Sequence, residues 1–233
     1  MNTKVLLNDL FPQGYTIEAT PDGLLTGYAE TGRGEIAVLG TTDHLALGVE
    51  AALVLAEFVL KVVKESPGCP ILMLVDTQGQ RLSKRDEFLG INGYLAHLVK
   101  CLELARLNGH QLLTLVYAEA VSGGFLAFGL MADEIHTMGD AQVRVMNLPA
   151  MSRITKLPLD KLEELSLSSP SFAPGVENFY KLGGVLSVWT SPLAKELHRA
   201  LDSQPAGDCR RETGMTRQGR KLAGHVAQLV RES

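Results

Sequence analysis

The order of apolar and polar positions divides the chain into alternating strands and helices. Pro70-Ile-Leu-Met-Leu-Val-Asp76 is a continuous apolar run, the mark of a strand covered on both faces. Residues 111–117 predict a second such strand, and 35–40 a third. Two shorter strands, 15–20 and 24–30, flank the turn signal Pro21-Asp22-Gly23. Between the buried strands the period lengthens to that of helices. One is expected over 45–65, capped by Thr41, Thr42 or Asp43 and ended by Ser66-Pro67-Gly68. Another is expected over 84–107, stopped at Asn108-Gly109. A turn over 118–122 leads into an almost wholly apolar helix, 123–132. Short strands follow at 134–138 and 142–146.

Beyond Leu148-Pro149 the chain becomes more polar. Helices are expected over 158–165, 176–182 and from Ser191-Pro192 to about residue 202, with a short strand over 185–189. A polar, Gly-bearing tract and a last amphipathic helix close the chain. Repeated strand–helix units predict an α/β fold with mainly parallel pairing and a helical C-terminal part. No long linker interrupts the pattern, so residues 1–233 are expected to form a single domain.

Composition narrows the function classes. The net charge of −4 gives no general basic footprint for nucleic acid. The most apolar helix carries Glu50, Glu57 and Lys61, too many charges for a membrane span. The first residues lack the apolar core of a signal peptide. The 3 cysteines, Cys69, Cys101 and Cys209, form no CxxC pair. On these features the reducing cytoplasm is the expected compartment. The 6 histidines show no HExxH spacing, and neither GxxxxGK[ST] nor GxGxxG follows a strand. No metal site is therefore expected. Glycine, at 23 residues, exceeds the usual ~7% share.

Two glycine turns carry the candidate chemistry. Val75-Asp76-Thr77-Gln78-Gly79-Gln80 follows one buried strand, and Ala118-Glu119-Ala120-Val121-Ser122-Gly123-Gly124-Phe125 follows the next. A helix N-terminus offers unpaired N–H groups at the positive end of its dipole, and glycine leaves them unshielded. If neighbouring strands bring Gly79 opposite Gly123 and Gly124, backbone donors converge on one oxygen, as in an oxyanion hole. Gly79, Gln80, Gly123 and Gly124 are therefore the candidate catalytic residues. Gln78, Val121 and Ser122 are the candidate substrate-binding residues. Ser122 has two readings, substrate contact or helix cap. Glu119 also has two, orienting the loop or transferring a proton. Asp76 is expected to hydrogen-bond the 77–79 turn.

These segments resemble a known family. Pro70-Ile-Leu-Met-Leu-Val-Asp76-Thr77-Gln78-Gly79 is similar to the P-x-x-x-L-x-D-T-x-G segment of carboxyltransferase alpha-type domains. Ala118-Glu119 through Ser122-Gly123-Gly124-Phe125-Leu126-Ala127, then Ala132-Asp133, resembles their G-E-x-x-S-G-G-A-L-A…A-D segment. Ala118 stands where that pattern has Gly, and Phe125 where it has Ala. The resemblance implies a crotonase-like (ClpP/crotonase) fold of repeated ββα units.

Met151-Ser-Arg-Ile-Thr-Lys156-Leu-Pro158 brings the chain closer to the gamma subunits of biotin-independent malonate decarboxylases. That resemblance implies a beta-type partner subunit and an acyl carrier protein. Malonyl thioester on the carrier would become acetyl thioester and CO₂. The chain itself would hold no cofactor, the phosphopantetheine-type thioester riding on the carrier. No Met-Lys-Met biotin attachment site is present.

Three alternatives accompany this reading. Ala120-Val121-Ser122-Gly123-Gly124 approaches the G-x-S-x-G pattern of a serine hydrolase, with His198 or His225 as base. A biotin-dependent carboxyltransferase alpha subunit would keep the fold and change the acceptor. A non-catalytic scaffold would only support a partner's site. A local basic stretch, Arg210, Arg211, Arg217, Arg220 and Lys221, reads either as a carrier contact or as solvated surface.

Overall fold

The computed structural model describes residues 2–168, 173–203, 207–219 and 222–233. In chain order the first elements are α1 (Thr3–Leu10), β1 (Tyr15–Ala19), β2 (Leu24–Thr31), β3 (Gly34–Thr41), β4 (Ala46–Leu47) and α2 (Val49–Glu65). There follow β5 (Ile71–Thr77), β6 (Gly79–Gln80), α3 (Lys84–Leu89), α4 (Ile91–Leu107), β7 (Leu112–Val121) and α5 (Ser122–Ala127). Next come β8 (Glu134–Met138), β9 (Gln142–Arg144), α6 (Leu148–Thr155), α7 (Leu159–Ser168) and α8 (Val176–Lys181). The chain ends with β10 (Ser187–Trp189), α9 (Leu193–Asp202), α10 (Arg210–Thr216) and α11 (Ala223–Glu232).

The main sheet has the order β1-β2-β3-β5-β7-β8-β10, with β9 also paired to β7. β1, β2 and β3 pair antiparallel, and from β3 onward every pairing is parallel. Both faces are covered, which explains the uninterrupted apolar runs. Ile71, Met73 and Val75 enter one core cluster with residues of α2 and α4. Leu72 and Leu74, pointing the other way, enter a second with residues of α1 and α9.

A strand of the main sheet, a two-residue strand and a helix recur as β3-β4-α2 and as β5-β6-α3-α4. The short strands β4 and β6 pair in parallel as a separate small sheet, Ala46 against Gly79 and Leu47 against Gln80. This small sheet corrects one expected helix boundary. The helix expected from residue 45 begins at Val49, because Ala46 and Leu47 are strand. Gly48 is its N-cap, with no side-chain cap bond. The expected caps serve elsewhere: Thr41 Oγ1 accepts the Asp76 N–H at 3.1 Å, and Thr42 bonds Thr3 at 2.8 Å.

Other boundaries shift for local reasons. The helix expected over 84–107 is two, broken where Gly90 takes a left-handed conformation (φ 76°). β7 runs through the expected turn to Val121 because it changes partner. Its residues 113–116 pair with β8, and 119–121 pair with β9. The apolar helix after it is shorter than expected and ends at Ala127. Helices α1, α6 and α10 carried no signal that was read from the sequence.

Candidate active site

The C-terminal ends of the parallel strands β5 and β7 gather the candidate loops. Thr77 closes β5, and its hydroxyl donates to the Leu45 carbonyl at 2.6 Å while accepting the Gly79 N–H at 3.1 Å. One side chain thus fastens the Gly79 turn to the segment entering β4. Gly79 has φ +108°, which a side chain rarely tolerates.

The second turn packs directly on the first. A Cβ on Gly124 would lie 2.7 Å from the Gly79 carbonyl carbon and 2.9 Å from its Cα. Gly124 lacks a side chain because another backbone fills that space. The two turns read from the sequence are therefore brought together. Their N–H groups, however, are not both open. Gly79 donates to Thr77, and Gly123 donates to the Gln80 side-chain oxygen at 3.0 Å. An external oxygen reaches the Gly123 N–H only by displacing Gln80.

Gln78 is exposed at the tip of its turn, and Val121 is half-buried at the end of β7. Ser122 has φ +51°, an uncommon conformation for a non-glycine residue. It does not cap α5: Val121 is the N-cap, and no side-chain cap bond forms. As the first helical residue, Ser122 stands one place too late to cap. His198 is also excluded as its base. His198 Nε2 accepts the Gly32 N–H at 3.2 Å, at the turn before β3. That is the opposite end of the parallel strands from Ser122.

Phe125 is fully buried, edge-on to Phe179 at 6.3 Å. It fills the core rather than the site.

The sequence reading missed a charged group beside the glycine turns. Asp76, 4% exposed, does not bond its own turn as expected. Its carboxylate accepts the His44 N–H at 3.0 Å and the Glu119 N–H at 3.2 Å, and its Oδ1 lies 2.8 Å from His44 Nδ1. Glu119 Oε2 lies 3.5 Å from the same ring nitrogen, and Arg144 holds the other Glu119 oxygen at 2.9 Å. Asp43 and His44 both have positive φ, at 56° and 52°. Two consecutive strained residues are a feature of functional loops. Tyr117 supports them from below, its hydroxyl donating to the Thr41 carbonyl at 2.8 Å. Burial pushes that phenol up to about 12. Consecutive positive-φ residues leave no mark in the sequence; Asp and His at 43 and 44 were the only available signal.

His44 and Asp76 stand at one end of a cavity of about 580 Å³ between α1, β1 and the strand ends. Lys4, Thr42 and Ala118 also line it. Ala118 is thus the family departure that touches open space.

Two arginines of the basic stretch, Arg217 and Arg210, are structural. Arg217 donates to the Tyr180, Val185 and Leu186 carbonyls at 2.8–3.0 Å and stacks 3.6 Å over the Tyr180 ring. Arg210 grips Asp208 and the Leu130 carbonyl. Arg211 is exposed, and Arg220 and Lys221 lie outside the described residues. Burial raises the Cys69 and Cys101 thiols, which disfavours the thiolate. Among the described residues no group of three or more His, Cys, Asp or Glu is placed to hold a metal ion. No helix among them is long and apolar enough to cross a membrane.

Comparison with known proteins supplies the family. The model of the malonate decarboxylase gamma subunit family matches residues 42–233. The malonyl-S-ACP:biotin-protein carboxyltransferase MADD of Malonomonas rubra is 34% identical, covering 79% of this chain and 70% of its own. A Pseudomonas malonate decarboxylase hetero-tetramer in complex with coenzyme A contains a chain 25% identical, with a TM-score of 0.80 over 97% of both. A chain of the Pseudomonas MdcD-MdcE hetero-dimer is also 25% identical, with a TM-score of 0.76 over 97% of both. Transcarboxylase 12S shares the fold at 19% identity and a TM-score of 0.73, over 88% of this chain and 43% of its own. The architecture is the crotonase-like carboxyltransferase fold expected from the two glycine segments, and the chain belongs to the malonate decarboxylase gamma subunit family.

Proposed function

We propose that this subunit, with a beta-type partner, decarboxylates malonyl thioester on an acyl carrier protein to acetyl thioester and CO₂. It is a carboxy-lyase subunit on this reading. The observation that carries it is the backbone contact between Gly124 and Gly79, on a chain of this family. Loss of CO₂ leaves negative charge on the thioester oxygen, and fixed backbone dipoles stabilise such a charge without reorganising. The Gly123 and Gly124 N–H groups hold that oxygen or the departing carboxylate once Gln80 swings away. Val121 and Ser122 lie against Gly79, and Gln78 precedes it in the chain, which suits all three to contact the same substrate. The phosphopantetheine-type arm arrives on the carrier, and the partner completes the other wall.

The test is co-purification with the beta-type subunit, followed by CO₂ release from malonyl-carrier thioester. Release by the pair and not by either chain alone is expected. Turnover by this chain alone would refute the shared site.

The identity with MADD favours one second reading, transfer of the carboxyl group to a biotinylated protein. Under it, turnover would require added biotinyl carrier; decarboxylation without biotin rejects it.

A further inference from the structure

The geometry points to His44 as the group that protonates the enolate, a role that rests on the decarboxylase reading. The imidazole is held on one side only. Asp76 bonds both its backbone N–H and its Nδ1, at 3.0 and 2.8 Å. Nε2 has no partner among the described residues. The ring is 58% exposed and lines the cavity. A carboxylate at Nδ1 fixes the tautomer and leaves Nε2 to exchange a proton with whatever enters.

Position supports this use. Ala46 is in register with Gly79, and His44 stands two residues before Ala46, so no more than about 7 Å of chain separates them. Thr77 ties the next residue, Leu45, to the same turn. Glu119, whose N–H meets Asp76, lies on the strand that leads into Gly123. The loop that carries the ring is thus fastened to the Gly79 turn, and the ring lines the cavity, where the proposal places C2 of the enolate. Its charged neighbours are Asp76 on β5, Glu119 on β7 with Arg144 on β9 behind it, Asp43 beside it and Lys4 across the cavity.

The step balances. The bond from C2 to the carboxylate breaks, CO₂ leaves, and the electron pair becomes the enolate. C2 then takes the proton from Nε2 of the His44 imidazolium, giving the acetyl thioester. The neutral ring keeps Nδ1–H on Asp76 and recovers a proton from water through its exposed edge.

The experiment uses the complete complex with the beta-type subunit. His44→Gln keeps an amide able to bond Asp76 but removes the acid. A drop in kcat of about 100-fold is expected, with KM changed by less than about threefold. Given preformed acetyl-carrier thioester in D₂O, the wild-type complex should also exchange deuterium into its methyl group, and His44→Gln should not. Added imidazole should restore both activities to His44→Ala, which also shows that the variant is folded. Wild-type turnover or exchange by His44→Gln, while the wild-type complex releases CO₂, overturns the role of His44 alone. No CO₂ from the wild-type complex overturns the decarboxylase reading, and this role with it.

Discussion

The side-chain oxygen of Gln80 lies 3.0 Å from the Gly123 nitrogen and accepts its N–H. It stands where the proposed substrate oxygen would stand. An amide carbonyl is a weaker acceptor than an oxyanion, so the developing charge can displace it.

Substitutions at Gln80 should therefore rank by acceptor strength. Gln80→Glu puts a carboxylate on the Gly123 N–H and should lower kcat/KM of the complex by about tenfold, ~1.4 kcal/mol. Gln80→Ala leaves the N–H open and should match or exceed the wild type. Steady-state kinetics of the two variants checks the order; an equal loss in both would show that Gln80 contributes a contact of its own.

Gly123 and Gly124 should respond differently to the same methyl group. At Gly124 it meets the Gly79 backbone at 2.7 Å, which cannot yield without parting the two turns. At Gly123 it meets the end of the Gln80 side chain at 2.8 Å, which can rotate. Gly124→Ala should cost about 1–3 kcal/mol. At ~2–4 °C per kcal/mol, thermal unfolding should reveal this as a clear loss in Tm. Gly123→Ala should stay close to the wild type.

These contacts show where sequence reading succeeds and where it stops. The buried strands were legible because both faces of β5 must be apolar, and period and composition then agree. The meeting of the glycine turns was legible because parallel neighbours end side by side. The occupied N–H groups were not, since Gln80 and Thr77 reach them through side-chain rotamers. The His44–Asp76 pair was invisible for another reason: 32 positions separate its members, and it is the tertiary pairing of β3 with β5 and of β4 with β6 that joins them.

Acid should weaken the clamp on the Gln80 loop. Arg85 and Arg81 hydrogen-bond Glu50 and lower its carboxyl from 4.5 to about 2. Arg81 also binds Asp86, whose side chain is fully buried. A lowered folded pKa gives stability that is complete above about pH 4.5 and lost as pH falls toward 2. Thermal unfolding of wild type and Glu50→Gln should differ by a constant amount above pH 5 and converge on acidification. The gap should also narrow at ~1 M salt, because Glu50 is half exposed.

Arg217 should behave as a structural residue despite its basic neighbours. Replacing it with Lys keeps the charge but cannot span three carbonyls, and should cost about 1–3 kcal/mol in unfolding experiments. Arg211→Ala should leave stability unchanged. Equal effects from the two would contradict the carbonyl clamp.

The pairing of β4 with β6 has a consequence for how this site tolerates change. Its register is set by main-chain atoms, so new side chains at Ala46 or Leu47 leave the Gly79 turn where it is. A single residue inserted or deleted between 42 and 48, or between 78 and 82, does not. It slides one short strand past the other by a residue and turns each side chain to the opposite face. The loops are thus protected against substitution and vulnerable to a change of length.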